Sequence, residues 1–267
     1  MISPDTLERI VLLTLAKTGI KIRAEDRAKL SQKLSQRIKA LALKNDREYL
    51  DILSQNCDKH KSEWDHLISF ITTGESYFFR DRGQINLLKH HLLPDAIQKN
   101  KDSTTLNILS AGCSTGEEVY SLAIILGELI PNLDNWNINL VGVDINIEAI
   151  SKARKGIYPQ WSFRGVENHY RSVYFRHKLE GWEIIESVKK RVKFYQCNLV
   201  ADEISFFPIG SVDLIICRNV FIYFDRDKIA TVLTKFIRTF AARGTINHRT
   251  YRITRTRDYP STGFNLF

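Results

Sequence analysis

Apolar runs and amphipathic helical patterns alternate from about residue 105 to residue 240, and this alternation restricts the fold more than any other feature of the sequence. Because consecutive parallel strands need a crossover connection, a regular order of strand and helix predicts a parallel sheet with helices on its faces. The predicted fold class is therefore α/β, with a doubly wound sheet. The predicted strands are TLNILSA (105–111), INLVGVDI (138–145), RVKFYQCNL (191–199) and VDLIICRNVFIYF (212–224).

The region before this alternation has no convincing strand pattern and predicts a small all-α domain of four helices. The first helix is predicted by Ser3 as N-cap, by Pro4 at the first helical position and by the apolar stripe that follows. The predicted domains are a helical N-terminal domain (1–70), a linker and connecting helix (71–104), a sheet domain (105–242) with a small subdomain of strands and turns inserted at about 157–190, and an atypical tail (243–267).

The chain has 39 basic and 30 acidic residues, which gives a formal net charge of +9. The last 27 residues contain five arginines and one aspartate, so almost half of the excess belongs to the tail. We therefore expect no nucleic-acid partner, because such a partner would need the charge on the folded body. Basic residues also recur at helical spacing on the second predicted helix, where they indicate either a solvated face or a docking surface for an acidic partner: Lys29, Lys33, Arg37 and Lys44.

The four cysteines have no paired spacing, so the sequence predicts buried free thiols and neither disulfides nor a metal site. The adjacent His90 and His91 would point in different directions on a helix, which also disfavours a metal site. The chain has no run of eighteen apolar residues and no cleavable signal. We therefore expect no membrane insertion and a cytoplasmic location.

Ligands of open parallel sheets bind beyond the carboxyl ends of the strands. The loop after the first predicted strand contains Gly112 and Gly116, which would let a ligand approach the backbone closely. It lacks the third glycine of a dinucleotide fingerprint, and Glu117 and Glu118 at the helix start would repel a pyrophosphate. Asp144 ends the second strand, where a carboxylate can accept both hydroxyls of a ribose. S-adenosylmethionine has a ribose and an ammonium but no phosphate, and it is the predicted cofactor.

Three longer motifs make the interpretation more specific. ITTGESYFFRD (71–81), AGCSTGEEVYSLA (111–123) and CRNVFIYF (217–224) resemble, in order and spacing, the CheR-type chemotaxis protein methyltransferases. The resemblance covers roughly residues 1–240 and implies a Rossmann-like, S-adenosylmethionine-dependent methyltransferase. It implies methylation of glutamate side chains of methyl-accepting chemoreceptors, which gives glutamate methyl esters in chemotaxis adaptation. The cytoplasmic helical bundle of these receptors would be the partner, and we expect a monomer.

The resemblance also implies a set of site residues. Arg80 and Tyr223 are the candidate catalytic residues, since a guanidinium can hold the substrate carboxylate and a phenol hydroxyl can orient it; Tyr223 is equally well explained as a packed aromatic. Gly74 stands where the family often has asparagine, and Phe78 and Phe79 are expected to pack at a hinge between the domains. The predicted cofactor contacts are Ser76, Arg80, Glu118, Asp144, Asn198, Leu199, Arg218 and Asn219, together with Gly112 of the glycine loop.

From about residue 243 the chain departs from the family and reads TINHRTYRITRTRDYPSTGFNLF. This segment has too few apolar positions for the final pair of strands, so we predict that the closing C-terminal hairpin is missing. Two functions therefore stay open: an active protein-glutamate methyltransferase, or a non-catalytic, CheR-like, cofactor-binding regulatory module. A nucleic-acid or small-molecule methyltransferase is disfavoured by the dispersed charge and by the segment CRNVFIY, which replaces an Asn-Pro-Pro-Tyr type of motif.

Overall fold

The computed structural model of the protein describes residues 2–55, 61–72 and 74–240. Its helices are α1 (Pro4–Thr18), α2 (Ala24–Ala40), α3 (Asp46–Ser54), α4 (Lys61–Ile71), α5 (Arg82–Leu87), α6 (Leu93–Lys99), α7 (Glu117–Leu129), α8 (Ile147–Lys155), α9 (Asn168–Tyr174), α10 (Glu186–Lys189) and α11 (Arg226–Phe240). Its strands are β1 (Thr105–Ala111), β2 (Asn137–Asp144), β3 (Ile157–Tyr158), β4 (Phe175–Lys178), β5 (Gly181–Ile184), β6 (Val192–Gln196) and β7 (Leu214–Ile216). A π-helical turn joins α5 to α6.

The four helices predicted for the N-terminal region are present as α1 to α4. Ser3 caps α1 as predicted, because its hydroxyl accepts a hydrogen bond of 3.3 Å from the amide of Thr6. The helix ends at Gly19, whose φ of 74° lies in the left-handed region that ends many helices. These helices pack around an apolar core of their own, which includes the fully buried Ile10, Leu34 and Leu67. The limits proposed for the domains stay a prediction.

The central sheet is parallel and has the strand order β6-β2-β1-β7. Successive residues of β1 face opposite sides of it, as the pleat requires. Ile108 joins a core formed with α7 and α8, and Leu109 joins a second core formed with α11. Helices thus cover both faces, and the predicted doubly wound α/β class is confirmed. The prediction of a missing closing hairpin falls on residues 241–267, outside the described residues.

The third predicted strand ends three residues earlier than expected, at Gln196. The side chain of Asn198 explains the difference, because its Oδ1 accepts hydrogen bonds from the amides of Val200 (3.0 Å) and Ala201 (3.2 Å). Such a local side-chain bond holds the backbone in a turn and competes with the ladder of a sheet. The chain therefore leaves the sheet at the position where a ligand would bind.

The fourth predicted strand, 212–224, is longer than the observed strand, because only Leu214–Ile216 pairs with β1. Asn219 then adopts a left-handed φ of 58°, and Phe221–Tyr223 form a 3-10 turn. The apolar side chains that made this stretch resemble a long strand pack against the core beneath α11 instead. These side chains are buried by tertiary contacts and not by strand pairing. The sequence pattern alone does not distinguish the two kinds of burial.

The insertion forms a separate antiparallel sheet with the order β3-β5-β4, in agreement with the predicted small subdomain of strands. It also contains α9 and α10, which the sequence analysis did not predict. α9 has only seven residues, none of them fully buried, and α10 has only four, so neither is long enough to show a clear helical period.

Several hydrogen bonds hold the helical region against the carboxyl edge of the central sheet. Asn198 Nδ2 donates to the carbonyl of Lys17 (2.8 Å), and the amide of Lys21 donates to the carbonyl of Tyr223 (2.9 Å). Asn146 Nδ2 donates to Thr72 Oγ1 (2.8 Å). The ends of α1 and α4 therefore cover the strand ends.

Cys113, Cys197 and Cys217 are buried free thiols, as predicted, while Cys57 lies outside the described residues. Within the described ranges, no three metal-ligating side chains come together. The helices of the same ranges are all too short or too polar to cross a bilayer.

Candidate active site

A cavity of about 250 Å³ lies at the carboxyl edge of the parallel sheet. It sits where the winding of the sheet reverses, because β1 is flanked by β2 on one side and by β7 on the other. Its second wall comes from the ends of α1 and α4 and from the segment 74–80. All of the predicted site residues line it: Ser76, Arg80, Gly112, Glu118, Asp144, Asn198, Leu199, Arg218, Asn219 and Tyr223.

The glycines of the loop after β1 are required by the fold itself. Gly112 has a φ of 75°, and a Cβ there would lie 2.2 Å from Val220 Cγ2. Gly116 has a φ of 93°, and its Cβ would lie 2.8 Å from the Cβ of Ala153. Both contacts are with protein atoms, so internal packing and backbone conformation explain these glycines without the ligand approach that the sequence suggested.

Asp144 lies at the end of β2 and holds the glycine loop. Its Oδ2 accepts a hydrogen bond from the amide of Ser114 (2.8 Å), and its Oδ1 accepts one from the amide of Asn146 (2.9 Å). Burial raises the pKa of Asp144 above its usual value, although these backbone bonds act in the opposite direction. Each carboxylate oxygen keeps further acceptor capacity, so Asp144 can also accept hydroxyl groups from a ligand.

Glu118 and Arg218 form a buried ion pair at the floor of the cavity. Glu118 Oε2 lies 3.2 Å from Arg218 Nη1, and Glu118 Oε1 accepts a bond of 2.7 Å from the hydroxyl of Ser110. The Arg218 guanidinium also donates to Gln84 Oε1 and to the carbonyl of Arg80. Arg218 therefore holds both the carboxylate of Glu118 and the segment that follows Phe79. Its positive charge is neutralised by Glu118.

The two adjacent glutamates have different environments. Glu118 lines the cavity, whereas Glu117 is only 1% exposed and faces the protein interior. Burial raises the pKa of Glu117 above its usual value, against hydrogen bonds from Thr115, Ser76 and Ser162 that lower it. The family resemblance named Glu118, and not Glu117, as a cofactor contact, and Glu118 is the one of the two that lines the cavity.

The segment 74–80 forms one rim of the cavity. Ser76 is buried, and Arg80 donates to the carbonyl of Glu75 (2.6 Å) while its guanidinium lies 5.6 Å from the ring centre of Tyr77. Phe79 has a φ of 54°, a left-handed conformation that a bulky residue rarely adopts. Surrounding contacts must hold it, and the amide of Phe79 donates to the hydroxyl of Ser121 (3.0 Å).

Phe78 is a packed aromatic residue, but it packs against the insertion and not at the predicted hinge between the domains. Its ring centre lies 4.8 Å from those of Tyr158 and Phe175 and 5.1 Å from that of Phe163. Its amide donates to the carbonyl of Ser162 (2.9 Å). The packing of Phe78 therefore ties the rim of the cavity to the inserted subdomain.

Asn198, Leu199 and Tyr223 complete the cavity on the side of β6 and β7. The side chain of Asn198 bonds to Lys17 and to its own turn, so its first role is to shape the wall. Leu199 is buried and provides an apolar surface, and Tyr223 is half-buried in the 3-10 turn after β7. Both interpretations of Tyr223, as an orienting hydroxyl and as a packed aromatic, stay predictions.

The sequence analysis missed the part of the cavity that comes from the helical region. Thr18 ends α1 and Ile20 follows it, while Ile71 ends α4 and Thr72 follows it, and all four line the cavity. Thr18 and Ile20 were assigned to a separate helical domain, where no local motif marks them. Ile71 and Thr72 belong to the first of the three family motifs, but the sequence analysis gave them no role at the site. Asn146, two residues after Asp144, bonds to Thr72.

The four basic residues at helical spacing do not form one exposed face. Arg37 pairs with the buried Glu63 through bonds of 2.9 and 2.5 Å, and Lys33 donates to the carbonyl of Phe70 (3.2 Å). Lys44 lies beyond the end of α2 at Ala40. Of the three members of this set on α2, Lys29 is exposed, whereas Lys33 and Arg37 join α2 to α4.

The groups that line the cavity fit S-adenosylmethionine. Two carboxylates, Asp144 and Glu118, offer acceptors for ribose hydroxyls and for an ammonium, and apolar side chains such as Leu199 and Ile145 line the same space. Arg218 is buried, and its positive charge is neutralised by Glu118. It is therefore not available for a phosphate, which disfavours a ligand rich in phosphate. The chemistry of the site therefore agrees with a cofactor that combines a nucleoside with an amino acid.

Comparison with known proteins agrees with this chemistry. The model of the family described as "CheR methyltransferase, SAM binding domain" matches residues 74–247. The chain is 31% identical to a chemotaxis protein methyltransferase of Borreliella burgdorferi over 240 residues, which cover 88% of this chain and 83% of that protein. It is 30% identical to the chemotaxis protein methyltransferase of Escherichia coli over 241 residues, which cover 88% and 80%.

A third relative is the chemotaxis protein methyltransferase 2 of Vibrio cholerae, 31% identical over 210 residues that cover 78% of this chain and 72% of that protein. These matches favour a methyltransferase enzyme over the non-catalytic module that the sequence left open. The match of the family model and the identity over most of the chain show that this protein belongs to the CheR family of S-adenosylmethionine-dependent methyltransferases of chemotaxis.

Proposed function

We propose that the protein transfers a methyl group to glutamate side chains of methyl-accepting chemoreceptors, in the cytoplasm and as a monomer. The observation that carries the proposal is the convergence of the three family motifs on one cavity at the carboxyl edge of the sheet. The names of the relatives support chemotaxis as the setting. The partner would be the cytoplasmic helical bundle of a receptor, which presents its glutamates on helix surfaces.

S-adenosylmethionine supplies a methyl group that its sulfonium makes electrophilic. A glutamate carboxylate is ionised at neutral pH, so one of its oxygens can attack the methyl carbon without a general base. The C–O bond of the ester forms as the C–S bond breaks, the electron pair leaves with the sulfur, and no proton moves. The protein then contributes mainly by in-line positioning and by removing water from the carboxylate.

In this proposal each lining residue has a role that its environment permits. Asp144 accepts the ribose hydroxyls, and Glu118, held by Arg218, accepts from the polar amino-acid end of the cofactor. Arg80 has donors beyond the one bonded to the carbonyl of Glu75, so it can grip the substrate carboxylate. Tyr223 also lines the cavity and is the second candidate for orienting that carboxylate. The other lining contacts proposed for the cofactor are Ser76, Gly112, Asn198, Leu199 and Asn219.

The test is methyl transfer from tritiated S-adenosylmethionine to purified cytoplasmic fragments of chemoreceptors. We expect label that base releases as methanol, because glutamate methyl esters hydrolyse in base and N-methyl groups do not. Fragments whose glutamates are changed to alanine serve as the control for the acceptor, and an Arg80→Met variant tests the proposed grip. Label that resists base, or equal labelling of the glutamate-free fragments, would contradict the proposed substrate.

A further inference from the structure

Two arginines meet at one tyrosine ring beside the mouth of the cavity. The guanidinium carbon of Arg164 lies 4.0 Å from the ring centre of Tyr77, and that of Arg80 lies 5.6 Å from the same centre. Tyr77 and Arg80 line the cavity, whereas Arg164 belongs to the insertion and lies just outside the lining. The two cations are therefore neighbours, one in the cavity wall and one next to it.

The position of Arg164 is fixed by its surroundings. Its guanidinium carbon also lies 5.7 Å from the ring centre of Trp161, and its amide donates to the carbonyl of Trp161 (3.2 Å). Arg82 Nη2 donates to the carbonyl of Gly165 (3.1 Å), which holds the neighbouring backbone against the start of α5. A planar guanidinium that already stacks on aromatic rings loses less conformational freedom when it binds a partner. Arg164 is therefore arranged in advance for binding.

The charge of Arg164 stays accessible to a partner from solution. Arg164 Nη2 lies 2.7 Å from Glu75 Oε1, but the two side chains are 44% and 65% exposed. Such exposed pairs contribute little free energy. A guanidinium has five N–H donors, and this contact uses only one of the nitrogens. A second carboxylate can therefore join that of Glu75 or replace it without leaving a buried charge unpaired.

A helical substrate can supply that second carboxylate. Side chains three or four residues apart on an α-helix share one face and lie about 5–6 Å apart. When Arg80 holds the glutamate that receives the methyl group, an acidic side chain one helical turn away on the same face comes close to the neighbouring cation.

We infer that Arg164 is a specificity-determining residue, which binds an acidic side chain one helical turn from the methylated glutamate. The inference rests on the proposed function, because it takes a receptor helix as substrate and Arg80 as the partner of the reacting carboxylate. Glu75 holds Arg164 until the substrate carboxylate takes over some of its donors. A purely structural role, in which Arg164 only joins the insertion to the rim, would not distinguish an acidic neighbour from a neutral one.

The test is steady-state methylation of two receptor fragments that each keep a single acceptor glutamate. The residues three and four positions before and after it are aspartate in one fragment and asparagine in the other, so the fragments differ in charge but hardly in shape. The unmodified protein should have a KM about fivefold lower for the aspartate fragment, the upper range for a partly exposed ion pair. The kcat values should agree within about twofold, because the contact is remote from the reacting atoms.

Arg164→Met should abolish this preference by raising the KM for the aspartate fragment alone. Its affinity for S-adenosylhomocysteine, measured by calorimetry, should stay within about twofold of that of the unmodified protein. A variant that keeps the preference would overturn the inference. An equal rise of both KM values together with weaker binding of S-adenosylhomocysteine would indicate a structural role and would also overturn it.

Arg171→Met is the matched control, because Arg171 is a second arginine of the insertion that stacks on an aromatic ring. Its guanidinium carbon lies 4.6 Å from the ring centre of Trp182, and it donates to Gln160 Oε1 (3.0 Å). Neither partner lines the cavity, so this variant should keep the ratio of the two KM values. Glu75→Gln removes the internal carboxylate and should show a preference at least as large as that of the unmodified protein; a smaller preference would overturn the inference.

If Arg164→Met does not fold, Arg164→Gln replaces it with the same expected loss of preference. The inference and the proposed function fail in different ways. If the unmodified protein methylates neither fragment, the proposed function is contradicted and the inference falls with it. Equal KM values for the two fragments would contradict only the role of Arg164.

Discussion

Replacement of Arg218 by methionine tests the ion pair at the floor of the cavity. The Arg218 side chain is 4% exposed and that of Glu118 is 16% exposed, so the change leaves a largely buried carboxylate without its cation. Loss of one partner from a buried pair destabilises a protein by about 3–5 kcal/mol. Glu118 keeps the hydroxyl of Ser110 and some contact with cavity water, so we expect the lower end, about 3 kcal/mol.

The assay is urea unfolding followed by the fluorescence of the four tryptophans. Arg191→Met is the matched control, because Arg191 pairs with Asp134, whose side chain is 85% exposed, and its loss should remain below about 1 kcal/mol. The double variant Glu118→Gln with Arg218→Met should recover part of the stability, since a neutral amide is less costly to bury than a charge. If Arg218→Met unfolds within about 1 kcal/mol of the unmodified protein, the pair does not organise the site as argued.

Three further predictions follow from the same contacts. Asp144→Ala should weaken binding of S-adenosylhomocysteine at least about tenfold, because a hydrogen bond to a charged group is worth roughly 1.5–3 kcal/mol. Calorimetry measures this affinity, and an unchanged value would refute the assignment of Asp144 to the ribose. Because burial raises the pKa of Asp144 in the folded state, its contribution to stability is largest at acid pH and is lost as pH rises through that pKa. The free energy of unfolding of the unmodified protein, relative to that of Asp144→Asn, should therefore be larger near pH 4 than at pH 7. The opposite trend in urea titrations would show the sign to be wrong. Arg37→Met should destabilise the helical region by about 2 kcal/mol through the loss of the Glu63 pair, whereas Lys29→Glu with Lys44→Glu should stay within about 0.5 kcal/mol in the same assay.

The sequence predicted the parts of the fold that depend on local periodicity. β1 was predicted at its observed limits, and α7, α8 and α11 follow their strands as expected, because each carries an apolar pattern that its own face buries. The errors in the predicted helices and strands lie where burial depends on contacts with residues that are distant in the sequence. The segment after Ile216 is apolar because it packs under α11 and beside the cavity. α9 was missed because it is short and none of its residues is fully buried.

The roles of the site residues stay predictions, and their convergence on one cavity could be anticipated only where a motif carried it. Asp144 ends a strand and Glu118 lies in a family motif at a helix start, and such positions meet at one edge of a parallel sheet. Thr18 and Ile20 were not found, because their place in the cavity depends on how α1 docks, which no local pattern encodes. The sequence analysis assigned the glycines to ligand approach, whereas packing against Val220 and Ala153 explains them.

The two adjacent glutamates show how one short motif can serve two purposes. Neighbouring residues at a helix start are separated by about 100° around the axis, so they cannot face the same environment. Glu118 turns toward the cavity and is held by Arg218, while Glu117 turns inward and accepts hydroxyl groups from the loop and the insertion. Phe78, in the segment that forms the rim, packs into the aromatic core of the insertion. The insertion therefore contacts the start of α7 through Ser162 and the rim through its aromatic side chains.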